Sequence, residues 1–157
     1  MRHAFVFEKV AVLVGPWQEP ADPPERGARV EVRLLDIEPR RGTFSAAQRV
    51  VIDRPLFRAD LFDRADEPPG NLLSAHFHPW FDGVEPCDRT WPEELRRDPL
   101  GWLESELRQL RRLAERARVP EVDAAALADD SAALEATIPA ILRAVEAAWD
   151  HVRASQG

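Results

Sequence analysis

The apolar residues of this chain change their spacing once, between Gly83 and Glu93, and that change limits the fold more than any other feature. Before it, Val30, Val32 and Leu34 interleave with Arg29, Glu31 and Arg33, and Phe57, Ala59 and Leu61 with Arg58 and Asp60. After it, Leu100, Leu103, Leu107, Leu110, Ala114 and Ala117 recur every three or four residues. Alternation places one set of side chains on each face of a strand, whereas the wider spacing makes a stripe along a helix. The chain therefore reads as a sheet followed by helices.

Strands are predicted at Ala4 to Val14, Arg29 to Ile37, Arg49 to Ile52, Leu56 to Asp63 and Leu72 to Phe81, all rich in Val, Leu, Ile and Phe. Gly15-Pro16, Arg41-Gly42, Asp53-Arg54-Pro55 and Pro68-Pro69-Gly70 read as the turns between them. These connections are too short for crossover helices, so the sheet should be antiparallel. Thr90-Trp91-Pro92-Glu93 has a capping-box pattern for a first short helix, and Asp98-Pro99 restarts the chain with an N-cap and a proline at the first helical position. One long helix is expected to Ala117, a short one from Glu121 to Ala128, and a last one whose Pro139 should kink or break it between Glu135 and Ala140. The predicted fold is α+β: one domain over residues 1–157, with an antiparallel sheet in 3–82 and three or four helices in 91–154 covering one face.

Composition fits that reading. At 157 residues, 45% hydrophobic and 31% charged, the chain is large enough to bury a core without disulfides. Its one cysteine, Cys87, has no internal partner, which suits a reducing cytoplasm. The apolar run near the N-terminus is interrupted by Glu8 and Lys9, unlike a signal peptide, and no segment approaches membrane-spanning length. The formal charge of −7 argues against general attraction to nucleic acid, and Lys9 is the one lysine among 21 basic residues, so the arginines read as a compositional bias. Arg108, Arg112 and Arg116 have Glu104 and Glu115 nearby at helical spacing and read as a solvated face.

The candidate site is His76-Phe77-His78, which carries half of the chain's four histidines. In a strand both imidazoles project to one face. A hairpin with Leu56 to Arg64 in the register that sums to 136 sets Asp60 opposite His76 and Arg58 opposite His78. The four residues would then form one polar cluster on the open face of the sheet. Three chemistries fit. His76, His78 and Asp60, with Glu31 or Asp82 near, could hold Zn(II) or Fe(II); an imidazole could act as general base, with Asp60 fixing its tautomer and Arg58 receiving a phosphate; or the cluster could be a structural ion-pair network in a non-catalytic interaction module. Trp80 falls on the histidine face if the alternation continues through Pro79, where it could floor a pocket, although packing is the commoner role of a tryptophan beside proline.

Gly70, His76, His78 and Asp82 resemble the first metal motif of the cupin family, with aspartate where glutamate is usual, and imply a metal-dependent enzyme. Arg58-Ala59-Asp60 followed by His76-Phe77-His78 is similar to the arginine–aspartate and histidine pairs of TumE-type toxin-like proteins of bacterial toxin–antitoxin systems. That resemblance implies a catalytic role for Arg58, Asp60, His76 and His78, action on nucleic acid, an antitoxin-like protein partner and no required cofactor. The stretch from Leu56 to Trp102 also resembles bacterial domains of unknown function, which bring no activity. An apolar strip left by incomplete covering of the sheet would support a homodimer.

Overall fold

Alternation does organise the first half of the chain into strands, which the computed structural model describes together with the helical half as residues 1–155. Five strands, β1 (His3–Val6), β2 (Val10–Glu19), β3 (Glu25–Ile37), β4 (Val50–Arg64) and β5 (His76–His78), lie side by side in chain order, each antiparallel to the next. Opposed residues in a ladder share a face, so the register sorts the sheet into rows. Val14, Val30, Ala59 and Phe77 form one row, and Val12, Val32 and Phe57 the next. All seven are buried, and they are the sheet's contribution to the hydrophobic core. On the opposite face Gly15, Arg29, Asp60 and His76 make one row and Leu13, Glu31, Arg58 and His78 its neighbour.

The helices form the second layer. They are α1 (Glu93–Arg97), α2 (Pro99–Leu107), α3 (Leu110–Arg116), α4 (Glu121–Leu127) and α5 (Ser131–Ala154), the last preceded by a turn of 3-10 helix. Leu103, Leu107, Leu110, Leu113, Leu134, Ile138, Ile141 and Val145 project from them into the same core. Each fully buried leucine contributes about 1.5–3 kcal/mol relative to exposure, so this stripe is what holds the layer to the sheet. No helix is long and apolar enough to cross a membrane among the described residues.

Several expected boundaries differ. The apolar run from Ala4 to Val14 is a hairpin rather than one strand, because the charged pair Glu8-Lys9 turns there and Asp130 captures the backbone N–H groups of Glu8, Lys9 and Val10 at 3.0, 2.7 and 3.0 Å. Gly15-Pro16 does not turn: β2 runs on to Glu19, and Pro16 lies past the last β1 pairing, His3 with Val14, as a proline in a sheet should. Asp53-Arg54-Pro55 is a bulge within a single strand, β4, where the register against β3 shifts. The strand expected over Leu72 to Phe81 shrinks to His76–His78. Asp63 holds the N–H groups of Gly70 and Leu72 at 2.7 and 2.9 Å, which keeps the chain in a turn until Ala75, and Pro79 ends the pairing.

Thr90 does not cap a helix; it pairs with Phe77 across a β-bridge, and α1 starts after Pro92 without a side-chain cap. Asp98 does cap α2, accepting from the Gly101 N–H at 2.9 Å with Pro99 behind it. The long helix expected to Ala117 is divided at Arg108-Gln109 into α2 and α3, which makes five α-helices among the described residues. Pro139 leaves α5 continuous. It is exposed, so water can satisfy the Glu135 carbonyl that its missing N–H frees.

Candidate metal centre

The register between β4 and β5 is the expected one: Arg58 faces His78, Ala59 faces Phe77 and Asp60 faces His76. The four candidate residues share a face and meet. Their face is not open, however. Asp60 and His76 are completely withdrawn from solvent and His78 is 4% exposed. The cover comes from the irregular segment after β5. Trp91 packs on His76 with ring centroids 5.0 Å apart, Phe62 meets the same imidazole edge-on, and Arg89 ties the segment to Glu25 on β3 at 3.0 Å.

Hydrogen bonding fixes the imidazoles. His76 Nδ1 lies 2.7 Å from the Ser74 carbonyl and His78 Nδ1 lies 2.5 Å from the Cys87 carbonyl. A carbonyl oxygen only accepts, so both Nδ1 atoms carry protons and both Nε2 atoms point the other way, to Asp60. Arg58 Nη2 approaches His78 Nε2 at 3.0 Å; a guanidinium only donates, so His78 is the neutral Nδ1–H tautomer with its Nε2 lone pair available. His76 Nε2 is buried 3.3 Å from Asp60 Oδ2 and has no hydrogen-bond partner among the described residues.

Asp60 is the hub. Arg29 Nε donates to its Oδ1 at 2.6 Å, Arg58 Nε donates to its Oδ2 at 2.9 Å, and His78 Nε2 stands 3.7 Å from Oδ2. Burial alone would push this carboxyl up, but the Arg29 guanidinium, hydrogen-bonded to it and of opposite charge, helps to hold the group well below the usual carboxylate range. Asp60 is therefore an anion with two imidazoles directed at it.

Asp60, His76 and His78 offer three ligand atoms within 4.8 Å of one another. Zinc–nitrogen and zinc–oxygen bonds of about 2.0–2.1 Å separate neighbouring ligands of a tetrahedron by roughly 3.3 Å. The two imidazole-to-carboxylate distances, 3.3 and 3.7 Å, fit that spacing better than they fit hydrogen bonds. The Nδ1–H bonds to backbone carbonyls are the outer contacts that orient metal-binding histidines. Two other ligands weighed from the sequence fall away: Asp82 is exposed on the hairpin β6 (Phe81–Asp82) and β7 (Glu85–Pro86), and Glu31 binds Arg33 at 2.7 Å.

Arg29 is the residue that sequence reasoning missed. Its place in the alternation put it on the polar face, but locating it opposite Asp60 needs the β3–β4 register, which the bulge at Arg54 obscures. Trp80 does not floor the site; Pro79 breaks the alternation, and the Trp80 ring lies 4.5 Å from the Arg118 guanidinium instead. Cys87 enters through its backbone alone. Arg108, on Glu104 at 2.7 Å, and Arg111, on Glu115 at 3.1 Å, behave as a solvated face, whereas Arg116 is only 25% exposed and turns inward to Glu106 and the Phe77 ring. No protein-family model, curated protein or solved structure matches the chain.

Proposed function

We propose that this protein binds a divalent transition metal, Zn(II) or Fe(II), through Asp60 and the Nε2 atoms of His76 and His78. The convergence of those three donors, with both Nδ1–H groups already committed to carbonyls, carries the reading. Three protein ligands, rather than four, is the count that keeps a position for water or substrate, and two imidazoles with one carboxylate is also the donor set of non-haem iron(II) centres. The bound ion would supply Lewis-acid or redox chemistry; the chain supplies ligand orientation and a water-poor surrounding. Protein loaded with Zn(II) or Fe(II) and then desalted should retain about one ion per chain by mass spectrometry of metals, and His76→Ala and His78→Ala should lose it. Wild-type protein that retains no more metal than the two variants refutes the reading.

A second reading has one observation in its favour. Arg29, Arg58 and Arg89 stand at the rim of the cluster with side chains 11, 14 and 33% exposed, three cations that a phosphate could meet. On this reading Arg58, Asp60, His76 and His78 act on nucleic acid without metal, as in the toxin-like resemblance. Expression without neighbouring genes should then arrest growth, and Asp60→Ala should relieve the arrest. Normal growth at high soluble expression would count against it.

A further inference from the structure

Arg58 occupies two of the atoms that a metal would need. Its Nε donates to Asp60 Oδ2 at 2.9 Å and its Nη2 to His78 Nε2 at 3.0 Å, so one guanidinium fork spans a carboxylate oxygen and an imidazole lone pair of the ligand set. Arg29 holds Asp60 mainly through Nε on Oδ1 at 2.6 Å, an atom outside the shared set, and its Nη2 reaches the shared Oδ2 at the longer distance of 3.3 Å. An ion entering among Asp60, His76 and His78 must displace Arg58 and can leave the Oδ1 bond of Arg29 in place.

Charge leads to the same requirement. With Arg29 and Arg58 both on Asp60, the buried carboxylate already has two cations, and adding a divalent ion without removing one would crowd positive charge in a medium that screens it poorly. The displaced guanidinium has a carboxylate to receive it: Glu31 is the cross-strand partner of Arg58 on the same face, and among the described residues its carboxylate bonds only to Arg33, whose side chain is 30% exposed.

We propose, resting on the metal-binding reading above, that Arg58 is an internal cation holding the ligand set together when no metal is bound, and that metal uptake moves Arg58 from Asp60 to Glu31. Asp60 then keeps a second cation beside Arg29 throughout, because one leaves as another arrives. Metal affinity is lowered by the work of displacing the fork, in the way a poorly populated competent state lowers any apparent affinity.

The test is titration of the purified, metal-free full chain with Co(II), followed by its visible absorption, and with Zn(II) by competition. Arg58→Gln removes the cation and should tighten binding by roughly ten- to a hundredfold, the worth of charge-assisted hydrogen bonds. Arg58→Lys, which keeps a charge but cannot bridge both atoms, should fall between wild type and Arg58→Gln, and it provides the comparison if Arg58→Gln does not fold. Glu31→Gln leaves every contact to Asp60 intact and should weaken binding by about two- to fivefold. Equal or weaker affinity in the Arg58 variants, with His76→Ala still abolishing binding, overturns the exchange and leaves the metal centre standing. Absence of binding in wild type and in all variants overturns both.

Discussion

Arg29 and Asp60 lie directly opposite each other on β3 and β4, and Arg29 Nε donates to Asp60 Oδ1 at 2.6 Å with the two side chains only 11 and 0% exposed. The same guanidinium sits 4.0 Å from the Trp17 ring and reaches Glu19 at 3.1 Å, so Arg29 links the histidine cluster to the far end of β2.

Removing one partner of such a buried pair strands the other. Arg29→Met should lower the unfolding free energy by about 3–5 kcal/mol in urea titrations. A loss under about 1 kcal/mol would mean that Arg58 alone neutralises Asp60.

Asp60 should also leave its mark on acid stability. Its folded carboxyl binds a proton more weakly than the unfolded one, whose ordinary value is 3.8, so its stabilising effect is complete above that value and declines as pH falls below it. The stability difference between wild type and Asp60→Asn should be constant above about pH 5 and shrink steadily toward about pH 2. A gap that widens on acidification would contradict the direction of the shift.

Asp130 accepts three backbone N–H groups from the β1–β2 turn and is 2% exposed. Asp130→Ala removes the acceptor of all three amides, strands only the amide of the buried Val10, and should cost about 1–3 kcal/mol. Hydrogen exchange at Glu8, Lys9 and Val10 should rise well ahead of exchange in β3.

Trp91 covers His76 yet is itself 49% exposed. Trp91→Ala should therefore cost less stability than truncating a core aromatic, under about 2 kcal/mol against the usual 3–5. It should also quicken labelling of His76 by diethyl pyrocarbonate, and an unchanged labelling rate would mean that the rest of residues 87–91 makes the cover.

Much of the fold was legible because both periods are strong: Val30, Val32 and Leu34 declare a strand face, and Leu103, Leu107 and Leu110 a helix face. The β4–β5 register was accessible for a narrower reason, since same-face pairing allows only even sums and one of them joins Asp60 to His76. The burial of the site was not legible. Its cover is Cys87, Arg89 and Trp91, a segment without period, held by backbone contacts such as Cys87 N–H to Trp80 carbonyl at 3.2 Å. Bulges and helix breaks escaped for a similar reason. Arg54 in β4 and Gln109 between α2 and α3 interrupt a pattern without changing which side of it is apolar.

The bridge between Phe77 and Thr90 has a consequence for association. A strand at the margin of a sheet offers unpaired N–H and C=O groups to any other chain, and β5 is at that margin. Thr90 uses both backbone groups of Phe77, each at 2.9 Å, so the middle of the histidine strand has none to offer. Recruitment of a foreign strand would meet β1 at the other margin instead. The spacing of His76 and His78 is thus set within the chain and stays independent of what pairs with its neighbours.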